Sequence, residues 1–152
     1  MGSLATAIEH VGSTAVPGLS AKPILDIDVV IPSRSDLAQV INRLAALGYR
    51  HVGDLGVSGR EAFSTDGAQD VPRNGTGRQW PDHHLYVCSA DSGELRRHLS
   101  FRDWLRCHPD RAAEYGALKL HLSQAHREDR ARYTEAKTEF VEASLREATP
   151  SP

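Results

Sequence analysis

Eight residues, Ile24-Leu-Asp-Ile-Asp-Val-Val-Ile31, constrain the fold of this chain more than any others. They lie between Pro23 and Pro32 and are nearly all apolar, the pattern of a central strand covered on both faces. Asp26 and Asp28 break that pattern. Side chains alternate along a strand, so both carboxylates project to one side, about 7 Å apart. Two such groups repel and pay desolvation unless a cation sits between them or the strand end lies in water. Just upstream, Gly12-Ser13 leaves a short apolar segment, Ala7–Val11. A turn with exposed N–H groups beside paired carboxylates suits a phosphate and its Mg²⁺. Both readings stay open here: a phosphate-and-metal turn, and a strand end in solvent.

The flanking sequence supplies the partners such a strand needs. Ala7–Val11 reads as a buried strand ending at Gly12, and Ser13 to Lys22 as a turn or one short helix broken at Pro17-Gly18. After Pro32, Ser33 or Ser35 caps a helix whose apolar positions are Leu37, Val40, Ile41, Leu44 and Leu47. Gly48 stands at its C′ position. A strand from Tyr49 to Val52 follows. Residues 53–82 are irregular, with one short strand at Glu61–Ser64 and a loop over Asp66–Asp82 of the length found in binding loops and lids. His83–Cys88 is a further strand. Three helices complete the chain. Leu95, Leu99, Phe101 and Leu105 mark one that breaks before Pro109; Ala112, Tyr115, Leu118, Leu122 and Ala125 mark the second; Tyr133, Lys137, Phe140 and Leu145 mark the third. The expected architecture is an α/β (α+β) domain over residues 1–148: a mixed β-sheet with helices packed on it and a helical second half. The tail Thr149–Pro152 is expected to be disordered.

Charge argues against one class of main partner. The formal charge is −2, and the most charged segment, residues 91–152, balances eleven Lys and Arg with eleven Asp and Glu. No stretch has the basic excess of a duplex-binding surface, so nucleic acid is not the expected partner, whereas a single nucleotide is compatible. Cys88 and Cys107 are too few for a disulfide scaffold and read as reduced thiols of a cytoplasmic protein. No signal segment or membrane span is evident.

Three constellations could carry chemistry. Gly12, Ser13 and Thr14 with Asp26 and Asp28 offer hydroxyls, amides and carboxylates for a triphosphate and Mg²⁺ (or Mn²⁺); nucleotidyl transfer needs positioning and charge neutralisation more than covalent help. There is no G-x-x-x-x-G-K-[ST] loop, because Pro23 follows Lys22, and no G-x-S-x-G elbow. The second set is His83, His84, Cys88, Cys107-His108, His121 and His126. Its spacing matches no usual zinc site, and His121 and His126 share no helix face. His84 and Tyr86 share one strand face, which places one of the two histidines toward Asp26 and Asp28. The third set is the scattered cations Lys22, Arg60, Arg73, Arg78, Arg102, Lys119 and Lys137. Arg60, near Phe63, and Arg102, within Phe101-Arg-Asp-Trp104, have the company of a residue with a defined role.

Taken together, I-E-H-V-G-S-T-A-V-P-G-L-S-A-K-P-I-L-D-I-D, G-R-E-A-F, H-H-L-Y-V-C, F-R-D-W-L-R-x-H-P, Y-x-x-L-K and D-R-x-x-Y-T-x-A-K-x-x-F resemble the GrpB family in matching order over residues 8–141. The resemblance implies a nucleotidyltransferase-type fold. Gly12 and Ser13 match its Gly-Ser turn, and Asp26 and Asp28 its metal carboxylates. That superfamily takes a third carboxylate from a later strand, where this chain offers His84, a poor Mg²⁺ ligand but a fair base or softer-metal ligand. Tyr86 stands where many relatives carry a second histidine. The amino-terminal helix common in such proteins is expected to be short or missing.

The function this implies is transfer of a nucleoside monophosphate from a nucleoside triphosphate to a small acceptor. Asp26, Asp28 and His84 would serve at the metal and in catalysis. Gly12, Ser13, Thr14, Lys22, Arg60, Arg102 and Lys119 would hold the phosphates. The alternative is a catalytically silent domain of the same fold that binds a nucleotide or phosphorylated ligand as a homodimer.

Overall fold

The computed structural model describes residues 2–125 and 129–148. His126 and the tail 149–152 lie outside the described residues. After a 3-10 turn at Gly2–Leu4, the chain runs through β1 (Ala7–Val11), a 3-10 turn (Ser13–Ala15), β2 (Leu25–Ile31), a 3-10 turn (Arg34–Asp36) and α1 (Leu37–Ala46). It continues through β3 (Arg50–Gly53), β4 (Arg60–Ser64), β5 (His83–Ser89), α2 (Gly93–Cys107), α3 (Pro109–Ala125) and α4 (Arg130–Ala148).

The five strands form one mixed sheet in the order β1-β2-β5-β4-β3. β2 pairs antiparallel with β1 and parallel with β5, while β4 pairs antiparallel with both β5 and β3. β2 is therefore interior, as its apolar run demands. Its odd residues Ile27, Val29 and Ile31 face α1 and join Val40, Leu44, Tyr49, Phe63, Leu85 and Val87 in the larger core. On the opposite face Val30 and Cys88 meet Leu95 of α2. A third cluster, Trp104, Leu105, Ala112, Tyr115 and the partly buried Phe140, ties α2, α3 and α4 into one layer, with Val16 reaching in from the turn after β1. Among the described residues no helix is long and apolar enough to cross a membrane.

The expected serine cap serves the 3-10 turn before α1 and not α1 itself, whose N-cap is Asp36 without a side-chain cap bond. Ser33 Oγ accepts from the Ser35 amide, and the helix begins two residues later than Ser35, after the intervening 3-10 turn. Ser92 Oγ accepts from Leu95 N to start α2. Residues 65–82 are not a free lid. Val71 is fully buried in the main core, Arg73 N donates to Leu47 O at 2.7 Å, and Trp80 Nε1 donates to Pro72 O at 3.0 Å. One apolar side chain in the core is enough to anchor the loop as a wall, a tertiary contact that no local periodicity announces.

Candidate functional site

Register decides what faces the helical layer. Val11, Asp26 and His84 lie side by side across β1, β2 and β5. One step along come Glu9, Asp28, Tyr86 and, on β4, Ala62; the next row is Ala7, Val30, Cys88 and Arg60. The sheet thus presents three carboxylates on one face, and the fates of the two aspartates diverge.

Asp28 is 0% exposed. Its Oδ2 lies 2.6 Å from His98 Nδ1 on α2, and the other ring nitrogen of His98 lies 3.2 Å from Glu94 Oε1. Asp28 Oδ1 is buried with no hydrogen-bond partner. Burial alone would push His98 down, but the hydrogen bond and charge of Asp28, joined by Glu94, overcome it and raise the imidazole pKa. Arg102, one further turn along α2, donates to Glu9 at 2.7 Å and to His10 O at 3.1 Å, and bonds Asp103 at 2.8 Å. Its side chain is only 12% exposed. Arg102 is therefore a clamp between α2 and β1, and it lies outside the lining of the cleft at Asp26. Glu94, His98 and Arg102 form an i, i+4, i+8 stripe that fastens α2 to the acidic sheet face. That spacing was the available signal for His98 and Glu94, which reading the apolar positions of α2 alone passes over.

Asp26 faces a cleft of about 570 Å³ whose lining includes Ser13, Thr14, Lys22, Asp26, His84 and Lys119, with Tyr133 and Lys137 from α4. Its side chain is 32% exposed, and Oδ1 lies 2.9 Å from His84 Nδ1. Gly12 has φ of 71°, and a Cβ there would come within 2.4 Å of Asp26 Oδ2. Only glycine allows the turn to lie against the carboxylate. Ser13 Oγ bonds Lys119 Nζ at 2.6 Å, and Thr14 Oγ1 lies 2.8 Å from His10 Nε2. The amides of Ala15 and Val16 are spent on Gly12 O and Ser13 O, and the turn brings the hydroxyls of Ser13 and Thr14 and the Lys22 ammonium to the cleft. Gly116 lets α3 close on the turn, because a Cβ there would meet Leu19 Cδ1 at 3.2 Å.

The cleft is electropositive. Lys119 is pushed down to about 8, chiefly by burial and then by the like charge of Lys137, with Asp26 opposing. Lys137 is likewise lowered, by burial, with Asp26 opposing and Lys22 adding. An anion would relieve both effects. Arg60 is not part of this set: it lies over the Tyr86 ring, 4.3 Å from the centroid, with its buried Nε unpartnered. Lys137, named in the sequence only among scattered cations, and Tyr133, read there as a helix position, reach the cleft from the last helix. A more open concavity of about 1090 Å³ runs along the outer flank of α4, but Glu135, Glu139 and Glu142 outnumber Arg146 there.

For a divalent cation, the cleft offers one carboxylate, Asp26, and one imidazole, His84. The third expected ligand, Asp28, is shut beneath α2 and bound to His98. Among the described residues no group of three or more His, Cys, Asp or Glu side chains is placed to hold an ion. A three-ligand site built from Asp26, Asp28 and His84 does not fit this geometry. Mg²⁺ held by one carboxylate and the oxygens of a bound phosphate does, and that is how Mg²⁺ is commonly carried.

A sequence profile of the GrpB protein family matches residues 1–147. The UPF0157 protein YqkA of Bacillus subtilis is 33% identical over 138 residues, which make up 91% of this chain and 37% of that protein. The chain thus spans little more than a third of that relative's length. The glutamate-rich protein GrpB of Alkalihalophilus pseudofirmus is 34% identical over 92% of this chain and 77% of its own. The crystal structure of the conserved protein GrpB from Enterococcus faecalis superposes with a TM-score of 0.75 at 32% identity, covering 97% of this chain and 82% of that one. A more distant likeness, 27% identity over 81% of this chain and 34% of the other, is to a dephospho-CoA kinase of Mycolicibacterium paratuberculosis.

Proposed function

The chain belongs to the GrpB family, and from that premise we propose that it binds a nucleoside polyphosphate, held by its phosphates in the cleft between the Gly12–Lys22 turn and helices α3 and α4. The observation that carries this reading is the convergence of Lys22, Lys119 and Lys137 with Ser13 beside Asp26. Three ammonium groups share a half-buried cleft, and burial together with a neighbouring lysine lowers the pKa of two of them, so the site is short of negative charge. Phosphate oxygens supply it. Asp26 would hold Mg²⁺ or Mn²⁺ together with the phosphate oxygens, and the ion would supply charge neutralisation. The likeness to a protein named dephospho-CoA kinase supports a phosphorylated ligand. Its kinase activity is not carried over, since this chain has no G-x-x-x-x-G-K-[ST] loop.

One observation favours a catalytic reading, nucleotidyl transfer. His84 Nδ1 donating to Asp26 leaves Nε2 as an acceptor, and 56% of the side chain is exposed at the cleft. A carboxylate-oriented imidazole is a general base. In this reading the hydroxyl of a small acceptor gives its proton to His84 Nε2. Its oxygen forms a bond to the α-phosphorus, the bond to the bridging oxygen breaks, and pyrophosphate leaves along the lysines.

Calorimetric titration with nucleoside triphosphates, with and without Mg²⁺ and Mn²⁺, tests the binding. Saturable binding that the Lys119→Gln, Lys137→Gln double variant loses is expected; absence of binding under every condition overturns the proposal. Pyrophosphate release on adding candidate acceptors, lost in His84→Gln with binding retained, separates transfer from binding alone.

A further inference from the structure

His84 does not border only the lysine cleft. It also lines a concavity of about 180 Å³ with Ile24, Thr65, Trp80 and Asp82, and another of about 260 Å³ with Val52, Leu55, Ala62, Ser64 and Tyr86. His83 and Thr65 are walls of both. The helices α2–α4 cover β1, β2 and β5 and leave the β4–β3 side of the same sheet face bare. The larger of these two pockets lies there.

Its chemistry is the opposite of the lysine cleft. No lysine, arginine or carboxylate lines it. Val52 and Leu55 are 39% and 63% exposed, two of the four large hydrophobic side chains left in solvent among the described residues. Leu55 is held out by a tight turn, with φ of 52°, an Asp54 side chain accepting from Gly56 N at 2.9 Å and Val57 N bonded to Asp54 O. A left-handed leucine is costly, and its side chain gains nothing here from burial in the protein's own core. Hydrogen-bonding groups share the lining: the hydroxyls of Ser64 and Thr65 and the imidazole of His83.

We propose that this apolar pocket takes the nucleobase of the nucleotide whose phosphates lie in the lysine cleft, with His84 between the two; the inference rests on the phosphate reading of that cleft. A purine or pyrimidine is flat, uncharged and polar only at its edges, which matches apolar side chains interspersed with hydrogen-bonding ones and free of lysine, arginine and carboxylate. The distance also fits. Ala62 on β4 pairs with Tyr86, one row along from Asp26 and two strand spacings away, about 12 Å in all. A ribose and its first phosphate bridge that span. His84 then stands where the α-phosphate would lie, the position that transfer chemistry requires of a base.

The test compares adenosine triphosphate, cytidine triphosphate and inorganic tripolyphosphate, each with Mg²⁺, by calorimetry on wild type, Leu55→Asn and Val52→Thr. Both substitutions are at partly exposed positions, and asparagine tolerates the left-handed backbone of residue 55; thermal melts check that each variant is folded. The nucleotides should bind about tenfold or more tightly than tripolyphosphate. Each variant should lose most of that gap without weakening tripolyphosphate. If tripolyphosphate binds as tightly as the nucleotides, or the variants leave the gap intact, the base pocket is overturned and the phosphate cleft stands. If none of the three binds, the phosphate reading falls and the base pocket falls with it.

Discussion

Two carboxylates two residues apart on one strand do different work, and the difference is made by single contacts. Asp26 stays in the cleft because Gly12 beside it has no side chain. In Gly12→Ala the new Cβ would overlap Asp26 Oδ2 and sit in a left-handed backbone. The variant should lose about 1–3 kcal/mol of stability in urea unfolding, and polyphosphate binding should weaken with it as Asp26 is displaced. Lys119 gives the cleft a pH dependence. Its pKa of about 8 lies below the ordinary 10.5, so it loses its charge as pH rises through 8. Binding of a polyanion should therefore be tighter at pH 7 than at pH 9. Binding near pH 8 should also draw a proton onto the protein, read as a dependence of the calorimetric heat on the buffer's ionisation enthalpy; a heat independent of buffer would contradict it. The linked effect on folding has the opposite sense. Between about pH 8 and 10.5 the unfolded chain holds the proton that folded Lys119 has released, so this group adds stability as pH climbs through that window.

The elements were largely legible in the sequence. β1 falls on Ala7–Val11 as read, β2 begins one residue later than expected, and β5 extends one residue further. Apolar alternation and proline punctuation act over a few residues, so they report local structure well. The underside of α2 was not legible in the same way. Its leucines announce a helix, but the charged stripe Glu94, His98 and Arg102 acquires meaning only once β2 brings Asp28 beneath it, 70 residues away. That contact is why Asp28 became scaffold while Asp26 remained available. His98→Ala would leave the buried Asp28 charge uncompensated, and loss of one partner of a buried pair costs roughly 3–5 kcal/mol. In His98→Gln a donor remains without the charge. Because the folded pKa of His98 is raised, its charge stabilises fully below the ordinary value of 6.5, and that contribution fades as pH rises through the higher folded value. The unfolding free energy of wild type should therefore exceed that of His98→Gln most at pH 6, the gap narrowing toward alkaline pH; a constant gap would show that the charge is not what matters.

At the scale of the molecule, the order of strands divides one sheet face into a covered half and an open half. That order was out of reach of sequence periodicity, because the parallel pairing of β2 with β5 joins residues 58 apart across α1 and a whole hairpin. It explains why Arg60 and Arg102 lie outside the lining of the Asp26 cleft: each is a plausible cation by its neighbours, yet one lands on Tyr86 and the other on Glu9. It also explains why Lys137, drawn from the end of the chain, completes a cleft begun at residue 13. The formal charge of −2 offers a polyanion no overall attraction, so affinity must come from the local lysines and be screened by salt. Binding should weaken steadily as ionic strength rises, and less steeply in Lys137→Gln. The same division predicts how the two aspartates part company. Asp28→Asn, beneath α2, should lower unfolding stability by roughly 3–5 kcal/mol while the surviving folded protein still binds polyphosphate without Mg²⁺ as wild type does. Asp26→Asn should leave unfolding nearly unchanged and abolish the Mg²⁺ dependence of binding. Measured side by side, equal effects of the two substitutions on metal dependence would mean that Asp28 reaches the ligand after all, and that α2 lifts from the sheet when the cleft is filled.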